Sequence, residues 1–129
     1  MVQIASASPV LLVADIFATA EYYRDVLGFQ FDEIHGDPPS FVIVQRDGVR
    51  LMFRQPRDGA PPPPNGAVSP AFPIDVFLYV EDVDALAEEL RARRADIVHG
   101  PTYRPIWNGK ELEVRDHDGR VLCFAQPGP

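Results

Sequence analysis

The sequence predicts an α+β fold made of two βαβββ modules in tandem. Strand-like and helix-like runs follow one another in the same order twice, and two separate segments recur at nearly constant spacing. Val13-Ala14-Asp15 returns as Val80-Glu81-Asp82, a shift of 67 from position 15 to 82. Asp47-Gly48-x-x-Leu51-x-Phe53-x-Gln55 returns as Asp118-Gly119-x-x-Leu122-x-Phe124-x-Gln126, a shift of 71 from position 47 to 118. A proline-rich stretch separates the copies. A two-copy repeat of this kind implies that neither unit covers its own sheet alone.

In the first copy, Ser8 to Val13 is a short apolar run with β-branched content, the pattern of a strand. Asp15 stands where a helix needs an N-cap, since its carboxylate can accept the orphan N–H groups of a first turn. Ile16 to Leu27 carries Ile16, Ala20, Tyr23 and Leu27 at helical spacing. Gly28 follows as the usual C-terminal stop. Phe29 to Ile34 alternates like a strand, and Gly36-Asp37-Pro38-Pro39 breaks it. Phe41 to Gln45 and Leu51 to Phe53 read as strands joined by the hairpin signal Asp47-Gly48.

Gln55 to Pro73 differs in character. It holds Pro61-Pro62-Pro63-Pro64 and Asn65-Gly66, the composition of an exposed, partly polyproline linker. The expected organisation is one domain over 1–129, with modules at 8–55 and 74–126 and a linker at 56–73. A linker of this length allows the modules to pair within one chain or across a swapped dimer. In the second copy, Ile74 to Val80 reads as a strand. Asp82 caps a helix with Val83, Leu86 and Leu90 on its apolar side. Glu88, Glu89 and Arg91 to Arg94 form a salt-bridged solvent face. Ile97-Val98 begins a strand that loses definition at Gly100-Pro101. Lys110 to Arg115 and Val121 to Phe124 are strands joined by Asp118-Gly119.

Composition narrows the function classes. The 129 residues suffice for one core, and 46% are apolar. A net charge of −7 argues against a nucleic-acid binder, which needs clustered Lys and Arg. The single cysteine, Cys123, rules out an internal disulfide, and no zinc-type Cys/His spacing occurs. No apolar run approaches the ~20 residues of a membrane helix, and Met1-Val2-Gln3-Ile4 does not open a signal peptide. A cytoplasmic protein without a membrane or nucleic-acid partner is expected. His35, His99 and His117 fall beside turn residues, and no nucleophile elbow, phosphate loop or dinucleotide motif is present.

Two segments carry a family likeness. Asp15 to Phe29, with Tyr22-Tyr23-Arg24-Asp25-x-Leu27-Gly28-Phe29, resembles the opening of the vicinal oxygen chelate superfamily. That superfamily includes glyoxalase I, extradiol dioxygenases, and fosfomycin- and bleomycin-resistance proteins. Glu111-x-x-x-Arg115-Asp116-x-Asp118-Gly119 resembles its second-module ending. The resemblance implies paired βαβββ modules whose curved sheets enclose a cleft. In enzyme members that cleft holds a divalent metal on His, Gln or Glu of the first and last strands. Ser8, Met52, Asp75 and Cys123 occupy those positions here. They make a poor donor set for such a metal.

The bleomycin-resistance branch, which the resemblance implies to be metal-free, fits better. Pro9-Val10-Leu11, Asp15, Ala18, Glu21 and Leu27-Gly28-Phe29 resemble its first module. Pro105-Ile106-Trp107-Asn108-Gly109-Lys110-Glu111 resembles its Pro-Trp-Gly-(Arg/Lys)-Glu stretch, with Trp107 shifted by one residue relative to the glycine.

Strand alternation then assigns the cleft lining. Leu12 joins Val10, and Arg50, Met52 and Arg54 turn inward together, while Leu51 and Phe53 pack on the helix. Asp75, Phe77 and Tyr79 face inward in the second module, with Glu111 and Cys123. Tyr103 and Trp107 sit on a Gly/Pro-rich loop able to close over them. The set is apolar and aromatic with a few polar groups, the chemistry of a small-molecule pocket. Arg50 and Arg54 suit a carboxylate or phosphate. The expected protein is a cofactor-free homodimer that sequesters a small, partly aromatic ligand. The alternatives are a glyoxalase-like lyase or dioxygenase-like enzyme, with metal on Asp75, Cys123 or Glu111, and a regulatory module whose cleft is vestigial.

Overall fold

The computed structural model describes residues 1–58 and 60–129; Gly59, inside the expected linker, lies outside the described residues. The chain divides into two compact units. The first comprises Met1–Arg24 and Gly28–Pro61, the second Asp25–Leu27 and Pro62–Pro129.

The first unit holds β1 (Val10–Leu12), α1 (Ile16–Asp25), β2 (Phe41–Arg46) and β3 (Val49–Arg54). Its sheet has the order β1-β3-β2, with β1 parallel and β2 antiparallel to β3. Asp15 starts α1 as its sequence position requires: Oδ1 accepts from the Phe17 and Ala18 N–H groups at 3.0 and 3.1 Å. Ile16, Thr19, Ala20 and Tyr23 form the buried stripe. Tyr23 lies 4.6 Å from Phe53 and 5.8 Å from Phe29, ring centre to ring centre. The helix ends two residues before the expected Leu27. The Phe29 N–H then donates to the Tyr23 carbonyl across Gly28, whose φ of +76° suits a residue without a Cβ.

The strand expected over Phe29 to Ile34 is not a ladder. The segment touches β2 through single bridges, Gln30 to Gln45 and His35 to Phe41. It spans one residue more than the β2 stretch it faces, so alternation cannot stay in register between the two bridges.

The second unit holds α2 (Asn65–Val68), β4 (Val76–Tyr79), α3 (Val83–Ala92), β5 (Asp96–Arg104), β6 (Gly109–Arg115) and β7 (Val121–Pro127). The sheet order is β4-β7-β6-β5, with β4 parallel to β7 and the other pairs antiparallel. Asp82 accepts from the Ala85 N–H at 3.0 Å, and Val83, Ala87 and Leu90 are buried. Leu86, expected with them, is half-buried. Glu88–Arg91 and Glu89–Arg93 pairs, at 2.8 and 3.5 Å, make the solvent face of α3. Part of the expected linker is a helical turn, α2. The Asn65 N–H donates to Asp75 Oδ1 at 2.7 Å, and Asn65 Nδ2 donates to the Ile74 carbonyl at 3.0 Å.

β5 does not fade at Gly100-Pro101 but runs on to Arg104. It is an edge strand, and Pro101 falls in the irregularity between the paired residues His99 and Thr102, where no ladder donor is needed. The Asp118-Gly119 hairpin is as expected: Asp116 Oδ1 accepts from the Asp118 and Arg120 N–H groups at 2.8 and 3.0 Å. No helix among the described residues is long and apolar enough to cross a membrane.

The repeat is geometric as well as textual. Val10 pairs with Met52 and Leu11 with Phe53; Phe77 pairs with Cys123 and Leu78 with Phe124. Both shifts seen in the sequence are kept. Each copy also ends its last strand in a glutamine that caps its own helix. Gln55 Oε1 accepts from the Ile16 N–H, and Gln126 Oε1 from the Val83 N–H, both at 2.9 Å. Each bond satisfies a donor that the helix cannot pair internally. Gln55→Ala and Gln126→Ala should therefore each lower stability by about 1 kcal/mol. Urea denaturation of the single and double variants checks this, and the two losses should add.

Candidate functional site

In the first unit the side of the sheet that carries Leu51, Phe53, Val42 and Val44 is buried. Alternation sends their neighbours to the other side, called here the far face. Register lines up Val10, Met52 and Ile43 in one row, and Leu12, Arg54 and Phe41 in the next, with Arg50 opposite Gln45. The expected Leu12, Arg50, Met52 and Arg54 thus share one face. The Arg54 guanidinium lies 5.9 Å above the Phe41 ring. A hollow of about 230 Å³ lies between Arg50, Ile43, Gln45 and the Gln30–His35 segment. Of the expected site residues, Arg50 alone lines it. The Gln30–His35 contribution is not legible in the sequence, because the segment alternates like a regular strand.

In the second unit Leu78, Leu112, Val114, Leu122 and Phe124 form the buried side. Lys110 projects to that side too, where Nζ meets Asp84 of α3 at 2.9 Å. The far face is again read from register. Phe77, Cys123, Glu113 and His99 form one row, and Tyr79, Ala125, Glu111 and Thr102 the next.

Three aromatic rings gather on this face. Residues 105–108 are the short turn between β5 and β6. Trp107 folds back from that turn over Gly109, so closely that a Cβ at position 109 would overlap the indole. Trp107 Nε1 donates to Glu111 Oε2 at 2.8 Å, and Arg104 Nε meets Glu111 Oε1 at 3.3 Å. The indole stands edge-on to Phe77 at 6.3 Å, and Phe77 edge-on to Tyr79 at 5.5 Å. Such pairs contribute about 0.5–1.5 kcal/mol each beyond burial. Phe77 and Tyr79 nonetheless remain 39% and 69% exposed, so the cluster is not a filled core.

Other expected members stand elsewhere. Tyr103 is on β5 rather than in a loop, paired with Lys110 and so on the α3 side. Its hydroxyl is 3.0 Å from Asn108 Oδ1. Asp75 has both oxygens engaged, Oδ1 by the Asn65 N–H and Oδ2 by the Val121 N–H at 2.9 Å. It joins α2 to the sheet. Glu111 positions Trp107. Gly109 and Glu113 escaped sequence reasoning. The Trp-x-Gly spacing and the alternation from Glu111 were the available signals, but both need the β6 register to be read.

Cys123 is fully buried on the floor of this face. Burial pushes its thiol from 9.0 up to about 12; the Glu111 and Glu113 charges and the bond to Glu111 add to the rise, against Arg104. The thiolate, the reactive form, is therefore suppressed. Native Cys123 should resist iodoacetamide at mildly alkaline pH and react fully once the chain is unfolded, as intact-mass measurement would show. The unfolded thiol loses its proton first as pH rises from about 9 towards 12. The contribution of Cys123 to stability is thus complete below that window and lost through it.

The four positions offered for a metal do not fit one. Asp75 is saturated by backbone donors, Cys123 stays protonated, and Ser8 and Met52 are weak ligands for a divalent ion. Among the described residues, no group of three or more His, Cys, Asp or Glu side chains is placed to hold a metal.

Comparison with solved structures finds the same fold. TioX from Micromonospora sp. ML1 has a TM-score of 0.74 at 20% identity, over 95% of this chain and 98% of that one. TnmS3 from Streptomyces sp. CB03234, described as an antibiotic binding protein, has a TM-score of 0.71 at 22% identity, over 99% and 100%. Virulence protein STM3117 from Salmonella typhimurium has a TM-score of 0.70 at 20% identity, over 98% and 99%. Comparison with the curated proteins gives no match. The family model of the Glyoxalase/Bleomycin resistance protein/Dioxygenase superfamily matches residues 3–124. Together with the two βαβ-based units and their shared register, that match means this chain belongs to the Glyoxalase/Bleomycin resistance protein/Dioxygenase superfamily.

Proposed function

We propose that this protein binds and sequesters a small, partly aromatic molecule, without a family-type metal, and that the far face of the second unit is the main contact surface. The observation that carries this reading is the cluster of Phe77, Tyr79 and Trp107, three aromatic rings of which two stay well exposed. A planar ligand would complete the cluster, gaining stacking and removing apolar surface from water. The first unit adds a surface of its own, where Met52 lies between Arg50 and Arg54, Leu12 lies beside Arg54, and the guanidinium groups suit a ligand carboxylate. No bond need be made or broken; the chemistry is desolvation and shape. The antibiotic-binding description of TnmS3, which shares the fold, supports the same reading.

Trp107 is the single tryptophan, so its emission reports on this face directly. Titration with bleomycin, then with a panel of other aromatic antibiotics, should give a saturable emission change with at least one compound. Expression in a sensitive bacterium should protect it against the same compound. No emission change, no thermal shift and no protection across the panel would sink the proposal.

A further inference from the structure

The two carboxylates on the second unit's far face are not equivalent. Glu111 has both oxygens occupied, by the Trp107 indole and by Arg104. Glu113, two residues along β6 and on the same face, makes no hydrogen bond or ion pair among the described residues. It shares a row with Phe77 and Cys123. Neighbouring strands lie roughly 4.8 Å apart, so the carboxylate stands two strands, about 10 Å, from the backbone of the aromatic wall.

The charges around it leave its own uncompensated. His99, opposite on β5, makes no hydrogen bond or ion pair with it. Arg104 is paired with Glu111, and Arg115, at the end of β6, is bridged to Asp96 at 3.4 Å. Cys123, between Glu113 and Phe77, is a neutral thiol. The face therefore presents aromatic rings at one side and, among the described residues, a carboxylate with no hydrogen-bond or ion-pair partner at the other, on a chain of net charge −7.

We infer that the ligand class is an aromatic cation: a planar ring system bearing a protonated amine, the ring against Phe77, Tyr79 and Trp107 and the ammonium against Glu113. This rests on the reading of that face as the binding surface. A cation gains a charge-assisted hydrogen bond and attraction to the ring faces. A neutral ligand of the same shape would desolvate the carboxylate without replacing its water, and an anion would meet like charge. The acidic balance of the whole chain would also draw a cation towards the surface.

Calorimetric titration of the full chain at about pH 7.5 tests the inference with three tricyclic probes. These are cationic proflavine, neutral acridone and an acridine carboxylate. Proflavine should bind at least about tenfold more tightly than acridone, and the carboxylate weakest. Glu113→Gln should cost proflavine about tenfold and leave acridone unchanged. Equal affinity of proflavine and acridone, or indifference of proflavine to E113Q, would overturn the cation assignment while leaving aromatic binding in place. So would an equal loss for all three probes in E113Q, which would mark Glu113 as structural. Failure of all three to bind the native chain would remove both the assignment and the binding surface on which it rests.

Discussion

Gly109→Ala is expected to unseat Trp107 and with it the proposed binding surface. The added methyl would occupy space now filled by the indole, so the ring must leave its place over β6. It would give up its bond to Glu111 and its edge contact with Phe77. Folding should survive, because position 109 is at the start of a strand and the indole can swing into solvent. The overpacking cost should be about 1–3 kcal/mol. The emission of the single tryptophan should shift to longer wavelength, and affinity for any compound that perturbs Trp107 in the native chain should fall by about two- to tenfold, the worth of one stacked ring. Unchanged emission together with unchanged affinity would show that the indole does not shape the surface.

Phe53→Ala should produce the largest loss of stability among the variants considered, about 3–5 kcal/mol. Phe53 is wholly buried and lies against Tyr23, which is the main aromatic bridge between α1 and β3. Removing it leaves a void that neither the short helix nor a three-stranded sheet can close without moving Tyr23. Whole domains are stable by only about 5–15 kcal/mol, so the variant should melt well below the native chain. Urea denaturation gives the difference directly; a loss below 1 kcal/mol would mean that the site collapses around the deletion.

Most of the fold can be read from residue order because its signals are local. Asp15 and Asp82 begin helices since their carboxylates reach N–H groups two and three residues on. Asp47-Gly48 and Asp118-Gly119 are turns whatever surrounds them. The two shifts of the repeat carry through to strand pairing, as Val10 with Met52 and Phe77 with Cys123 demonstrate. Where reading failed, pairing partners were decisive. Phe29 to Ile34 has the alternation of a strand but one residue too many for its neighbour. β5 continues past Pro101 because an irregularity on a sheet edge excuses the missing N–H.

The candidate site was partly legible for the same reason. Alternation places Leu12, Arg50, Met52 and Arg54 on one face and Phe77, Tyr79, Glu111 and Cys123 on another, and registers confirm those groupings. Alternation also says that Asp75 belongs with Phe77, yet its carboxylate turns to two backbone N–H groups, one supplied by a residue ten positions away in the linker. Tyr103 was assigned with Trp107 because the two are near in sequence, and strand pairing puts it on the opposite side.

Residue order alone thus decides the two Asp-capped helices, the two Asp-Gly hairpins and the duplication, because capping, turn geometry and two-residue alternation are short-range properties. Tertiary structure decides which of the outward-facing groups are spent and which are free. Glu111 and Glu113 are identical residues two positions apart on one strand, and the sequence does not distinguish them. Glu111 is consumed because Trp107 folds over Gly109 and Arg104 reaches across from β5. Glu113 is left without a partner among the described residues because those beside it in its row, Cys123 and His99, make no hydrogen bond or ion pair with it. Long-range pairing makes that difference, and chemical availability at the proposed surface follows from it.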